Sequence, residues 1–196
     1  MHGLVNRSLQ GFLRDTYGAA TWANVAREAR LGLDGFEPML SYDPALTEAV
    51  VAAAARTLNR PSESVLEDLG TYLVSHPNTE RVRRLLRFGG ESFDDFIHSL
   101  EDLPERARLA LPDLNLPGLD LVEYGEGRYQ LFITAPLVGA GHVMMGLLRA
   151  MADDYGALVL MEPLASHGRA EVIEIQLLDQ CHSTGRQFDL VGQAAP

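Results

Sequence analysis

A proline set at the end of an apolar helical stripe most constrains how this chain can fold. Within residues 91–117, ESFDDFIHSLEDLPERARLALPDLNLP, the side chains Phe93, Phe96, Ile97, Leu100 and Leu103 recur at helical spacing and lead straight into Pro104. Proline has no amide proton for the helical ladder, and its ring clashes with the carbonyl four residues back, so the helix must stop or kink there. Asp102 and Glu105 have the spacing of a capping box, which predicts a second short helix with Pro104 near its start and Ala107 and Leu109 on its apolar side.

Upstream of this bend every period is helical. Leu4, Val5, Leu9, Phe12 and Leu13 predict a short amphipathic helix closed by Tyr17-Gly18. Thr21 is placed to cap a second helix with Trp22, Val25, Ala26 and Ala29 on one face, followed by a glycine-bearing loop over 31–35. Asp43 and Pro44 read as N-cap and first position of an alanine-rich helix ended by Asn59; Ser62 opens another, which Pro77 stops, and a shorter one covers 80–88. Beyond Pro117 the period becomes alternating. Strands are predicted over 119–124 and 129–134 around Gly125-Glu126-Gly127, then a helix over 138–154, then strands over 158–164 and 171–178 around Ser166-His167-Gly168. This order predicts an α+β fold: one domain over 1–196, with a helical half (1–112) packed on a four-stranded antiparallel sheet that carries one inserted helix (113–196).

Charge excludes some partners. Sixteen basic against twenty-seven acidic residues leave −11, which repels nucleic acid and anionic lipid. Arg81, Arg83, Arg84 and Arg87 are expected on the solvated side of their helix. The single cysteine, Cys181, allows no internal disulfide, and no apolar run reaches the roughly 18 residues of a membrane span. With no signal peptide at the start, a cytoplasmic location is expected.

Catalytic patterns are weak. The pairs Asp94-Asp95, Glu101-Asp102 and Asp153-Asp154 are expected on polar helix faces, solvated and with ordinary acidity. Gly139 and Gly141 lack the full dinucleotide or P-loop pattern and read as a loop. Cys181 beside His182 has no third orienting group, and Met144, Met145 and Met151 read as core packing. The chain is not expected to be an enzyme.

Residues scattered along nearly the whole chain carry a resemblance. Met1-His2-Gly3-Leu4-Val5-Asn6, Tyr17-Gly18 with Trp22, Tyr42-Asp43, Leu58-Asn59, Gly70, Leu86-Arg87 with Gly90, Phe93, Phe96, Leu100, Leu103, Pro112, Pro117, Gly146 and Tyr155-Gly156 resemble, in order and spacing, the heme-nitric oxide/oxygen binding (H-NOX) family. That family includes the heme domain of soluble guanylate cyclase. In it, a histidine on the central helix ligates heme iron and a tyrosine-x-serine-x-arginine motif holds the propionates. By the resemblance these positions fall here on Pro104 and on Ile133, Ala135 and Leu137. Proline offers iron no imidazole, and three apolar side chains cannot neutralise two buried carboxylates. The bend at Pro104 is then expected beside the binding pocket.

The resemblance implies a pocket lined by Val5, Leu73, Phe96, Leu100, Pro104, Pro117 and Leu147, with no metal ligand and no heme held in the usual way. It implies a sensory or regulatory protein that acts on a separate signalling partner through an apolar pocket and an apolar small molecule. Two alternatives stand beside it. One is a gas sensor holding heme through an unusual ligand such as His76; the other is a heme-free interaction module whose side chains fill the old pocket. His98 is expected at the surface, about 120° from the heme-facing direction, and His2, His142, His167 and His182 are expected exposed.

Overall fold

The computed structural model describes residues 1–33, 35–114 and 116–186; Asp34 in the 31–35 loop, Asn115, and the last ten residues of the expected 113–196 half lie outside the described residues. Four helices open the chain: α1 (Gly3–Tyr17), α2 (Ala19–Glu28), α3 (Pro44–Leu58) and α4 (Ser62–Ser75). The Asp43 side chain accepts the Ala45 amide at 2.9 Å as N-cap of α3, and Asn59 ends that helix in the left-handed region at φ 53°. Thr21 does not cap α2. It sits inside the helix and donates its hydroxyl to the Tyr17 carbonyl at 2.7 Å, while Gly18 takes the cap position. Ser62 is likewise the first helical residue of α4, after Pro61. These helices enclose one buried cluster around Leu9, Phe12, Leu13, Val25, Phe36 and Val65.

The expected break into two helices is present, but the first helix ends earlier than expected. After a short 3-10 turn (Pro77–Thr79) and α5 (Glu80–Arg87), helix α6 runs only from Phe93 to His98, and α7 from Leu103 to Ala110. Pro104 cannot donate to the Leu100 carbonyl, so the ladder changes to three-residue spacing before it: Leu100 donates to Ile97 and Leu103 to Leu100, each at 3.1 Å. Leu103 and Pro104 then stand as the first two positions of α7, where amide protons have no helical partner in any case. Asp102 makes no capping bond. The capping box lies instead at the start of α6, where Ser92 Oγ accepts the Asp95 amide at 3.1 Å and the Asp95 carboxylate accepts the Ser92 amide at 3.0 Å; the Ser92 hydroxyl, donating to that carboxylate at 2.7 Å, and then the Ser92 amide hold the Asp95 carboxyl below its ordinary pKa. Ala107 is buried, but Leu109 is almost fully exposed.

The sheet half follows the alternating pattern. Strands β1 (Gly118–Gly125), β2 (Arg128–Thr134), β3 (Leu158–His167) and β4 (Ala170–Asp179) form one antiparallel sheet in the order β1-β2-β4-β3, with α8 (Ala140–Tyr155) between β2 and β3. Tyr129, Leu131 and Ile133 point into a second buried cluster with Phe93, Phe96, Ile97, Leu100, Met144, Leu148 and Met151. No described helix is long and apolar enough to cross a membrane.

Two expectations about charge are corrected. Asp154 is buried, 1% exposed, at the end of α8, and its carboxylate accepts a 2.8 Å hydrogen bond from Arg83 Nε on α5. Arg83 is therefore buried as well, and Arg87 packs its guanidinium 3.9 Å over the Tyr155 ring; neither lies on a solvated face. The reason is long-range: a carboxylate and a guanidinium 71 residues apart in sequence neutralise each other where α5 crosses the end of α8.

The two clusters meet where α4 lies against α8 through glycines on both helices. A Cβ on Gly70 would run into the Val143 carbonyl and come within 2.7 Å of the Leu147 amide; one on Gly146 would strike the Glu67 carbonyl and lie 3.0 Å from the Thr71 amide. Backbone obstructs at both places, so no side chain can swing aside. Gly146→Ala is expected to lower stability by about 1–3 kcal/mol, although alanine is intrinsically the better helix former by about 1 kcal/mol. Gly125→Ala, whose Cβ would meet only the Arg128 side chain at 3.7 Å, should change little. Urea unfolding of both variants checks this.

Candidate functional site

The seven residues expected to line a pocket are not all brought together. Phe96 and Leu100, both fully buried, share the sheet-side cluster with Leu147. Leu73 on α4 is half-buried and packs against the helical cluster, Val5 on α1 is half-buried, Pro104 is buried at the start of α7, and Pro117 is half-buried just before β1. Of the three positions mapped to the propionate motif, Ile133 is a core residue, Ala135 packs against the same cluster, and Leu137 lies in the loop before α8.

None of the six histidines is buried. His2, half-buried and not exposed as expected, caps α1, its Nδ1 accepting the Leu4 amide at 3.2 Å. His76 ends α4, accepts the Asn78 amide at 3.2 Å, stacks on Tyr72 with ring centres 4.7 Å apart, and lies 3.9 Å from Asp15. It faces α1 and the 3-10 turn. His142 is half-buried, not exposed as expected, in the first turn of α8; His167 and His182 are exposed, as is Cys181. Among the described residues no group of three or more His, Cys, Asp or Glu side chains could hold a metal ion.

Two tyrosines border the sheet-side cluster, and both hydroxyls are committed. Tyr129 donates to the Asp94 carboxylate, and Tyr155 donates to the Gly90 carbonyl at 3.0 Å. Burial, aided for Tyr129 by the Asp94 bond, raises both phenols above their ordinary pKa, so they stay protonated at neutral pH.

A groove that the sequence did not reveal lies elsewhere, between α3, α4, the loop before α8 and the β3–β4 hairpin. Its volume is about 580 Å³, and none of the seven expected residues lines it. Glu171 on β4 fixes one wall by accepting the amide of Gly139, the N-cap of α8, at 2.8 Å and that of Gly141 at 2.9 Å; Gly141, expected in a loop, stands in the first turn of that helix. No spacing signal in the sequence joins these walls, because they come from five separate segments.

With this geometry in view, comparison with known proteins gives a consistent answer. Residues 2–162 match the Haem-NO-binding family. Soluble guanylate cyclase gcy-31 of Caenorhabditis elegans is 21% identical over 154 residues, covering 79% of this chain and 22% of the relative. The rat guanylate cyclase soluble subunit beta-2 is 23% identical over 127 residues, 61% of this chain and 19% of the relative. The chain thus spans about a quarter or less of the length of these curated relatives. Among solved structures, an H-NOX protein from S. oneidensis in the Fe(II)NO ligation state superposes with a TM-score of 0.76 at 16% identity, covering 91% of this chain and all of that one. The Fe(II) unliganded H-NOX protein from K. algicida gives 0.75 at 13%, over 94% and 100%. This chain belongs to the Haem-NO-binding family. Its fold is the α+β H-NOX fold.

His98 illustrates how α6 is tied to the sheet. It is half-exposed, as expected; its ring donates to the Asp94 carbonyl at 2.9 Å, lies 3.6 Å from Glu123 on β1 and stands edge-on to Tyr129. The Asp94 carbonyl bond, with the charges of Asp94 and Glu123, raises the imidazole above its ordinary 6.5 against the opposing effect of burial. Because the folded value is the higher one, this stabilisation is complete below pH 6.5 and is lost as pH rises through the folded pKa. Chemical denaturation between pH 5.5 and 8.5 should show that loss in the native chain and not in His98→Gln.

Proposed function

We propose that this chain is a regulatory H-NOX domain whose heme site is degenerate, so that it senses through something other than histidine-ligated heme and passes the change to a separate signalling protein. The observation that carries this reading is the donor set around the sheet-side cluster. Its members are apolar side chains and two tyrosines whose protons are already bound; at its edge Arg83 is engaged by Asp154 and Arg87 lies over Tyr155, and no histidine is buried within it. Iron needs an axial donor, and buried propionates need cationic or hydrogen-bonding partners. Pro104 at the mapped ligand position and Ile133, Ala135 and Leu137 at the mapped motif positions supply neither. On this reading the domain is not itself an enzyme, it works in the cytoplasm, and residues 1–196 act as one unit.

The reading with His76 as iron ligand is disfavoured by geometry. That ring is stacked on Tyr72 beside Asp15, on the α1 side of α4 and not among the cluster residues. The interaction-module alternative draws on the complete burial of Phe93, Phe96, Ile97 and Leu100, which leaves little apolar surface for a small molecule there.

Restoring the lost donors tests the proposal. Pro104→His is expected to raise heme affinity by at least tenfold, because one well-placed iron ligand is worth more than about 1.4 kcal/mol. Adding Ile133→Tyr, Ala135→Ser and Leu137→Arg should raise it again. Glu105→His, turned about 100° away on the same helix, should do little. Heme titration followed by absorbance, with circular dichroism to confirm folding, reads the result; a folded Pro104→His variant with unchanged affinity would contradict the mapping.

A further inference from the structure

We propose that the groove between α3, α4 and the β3–β4 hairpin binds a small organic cation with an apolar body, of the arylalkylammonium class. This goes beyond the regulatory reading and stands whether or not heme binds elsewhere. The floor is apolar and drawn from both halves of the fold: Val51 and Leu66 on the helical side, Met145, Val172 and Ile173 on the sheet side, with the exposed Leu164 at its edge. A volume of about 580 Å³ lies within the range of about 300–1,000 Å³ typical of small-molecule sites.

Charge selects the ligand. Glu48 on α3, Glu63 on α4 and Glu171 on β4 line the groove from three separate elements, and no arginine among the described residues lines it. Among the described residues His142 is the one base that lines it. Glu171 is already engaged by the amides of Gly139 and Gly141, which leaves Glu48 and Glu63, both exposed at the rim, to meet an ammonium group. The net charge of −11 adds a field that favours cations and disfavours anions.

The groove is formed before any ligand arrives. Glu171 holds the glycine loop, and the loop is seated on α4: a Cβ on Gly139, whose φ is +86°, would come within 2.7 Å of Leu66 Cδ1. Ordering costs on binding are therefore small. An occupant would touch Leu66 on α4 and Met145 on α8 together, the two helices joined through glycines, and so would report on how the halves sit against each other.

Methyl-resolved NMR titration of the full chain tests this with three probes that share one body: 4-phenylbutylammonium, 4-phenyl-1-butanol and 4-phenylbutanoate. Saturable shifts are expected at Val51, Leu66, Met145, Leu164 and Ile173, with the ammonium binding more tightly than the alcohol and the carboxylate weakest. Glu48→Gln with Glu63→Gln should weaken the ammonium about 2–10-fold, the range for two solvent-exposed ion pairs, and leave the alcohol unchanged. Glu105→Gln with Asp113→Asn, exposed and outside the groove, should leave all three unchanged. The proposal is overturned if shifts at those methyls do not saturate at millimolar ammonium, if the alcohol binds as well as the ammonium, or if the outside pair weakens binding as much as the groove pair.

Discussion

Everything in this fold depends on two helices touching backbone to backbone. Gly70 on α4 and Gly146 on α8 remove the side chains that would otherwise hold the helices apart, and the two apolar clusters meet across that seam. Close approach strengthens dispersion contacts along the seam, while tolerance of error vanishes, because a packed backbone cannot repack as a side chain can. The helical half and the sheet half are thereby placed in one fixed relation. The groove is a consequence of it, since its floor is supplied from both sides of the same seam.

Polar groups hold the periphery of the sheet-side cluster in register. Asp154 with Arg83 joins α5 to the end of α8, Tyr155 reaches the Gly90 carbonyl, Tyr129 and His98 join the strands to α6, and Glu101 accepts the Leu121 amide at 2.9 Å. A buried ion pair of this kind adds little net stability over an apolar pair, yet losing one partner strands the other charge and costs about 3–5 kcal/mol. Such pairs specify an arrangement more than they strengthen it.

Local signals were easy to read in the sequence, and long-range ones were not. Gly18, Asp43-Pro44 and Asn59 marked helix ends correctly because caps depend on a few neighbouring residues. The strands and hairpin turns followed from alternation and turn residues, whereas which face of β2 points inward, with Tyr129, Leu131 and Ile133, is shown by the structure. Pro104 announced a break, but its position did not: α6 already ends at His98, and before the proline the ladder tightens to three-residue spacing, with the Leu100 carbonyl accepting from Leu103. Asp154 looked like one half of a solvated acidic pair because its partner is 71 residues away, and Leu109 looked like a core residue because α7 is too short to bury its whole stripe. Of the candidate site, Phe96, Leu100 and Leu147 do meet in one cluster, whereas the groove, assembled from five segments, left no local trace.

The central claim is that this H-NOX fold has lost the donors for histidine-ligated heme, and the absorbance of the protein itself tests it most directly. The native chain, expressed with supplemented heme and purified, is measured for its Soret peak against protein concentration. The account predicts well below one heme per chain and no five-coordinate ferrous histidine spectrum. A stoichiometric, intense Soret band that persists through gel filtration and binds nitric oxide would contradict it.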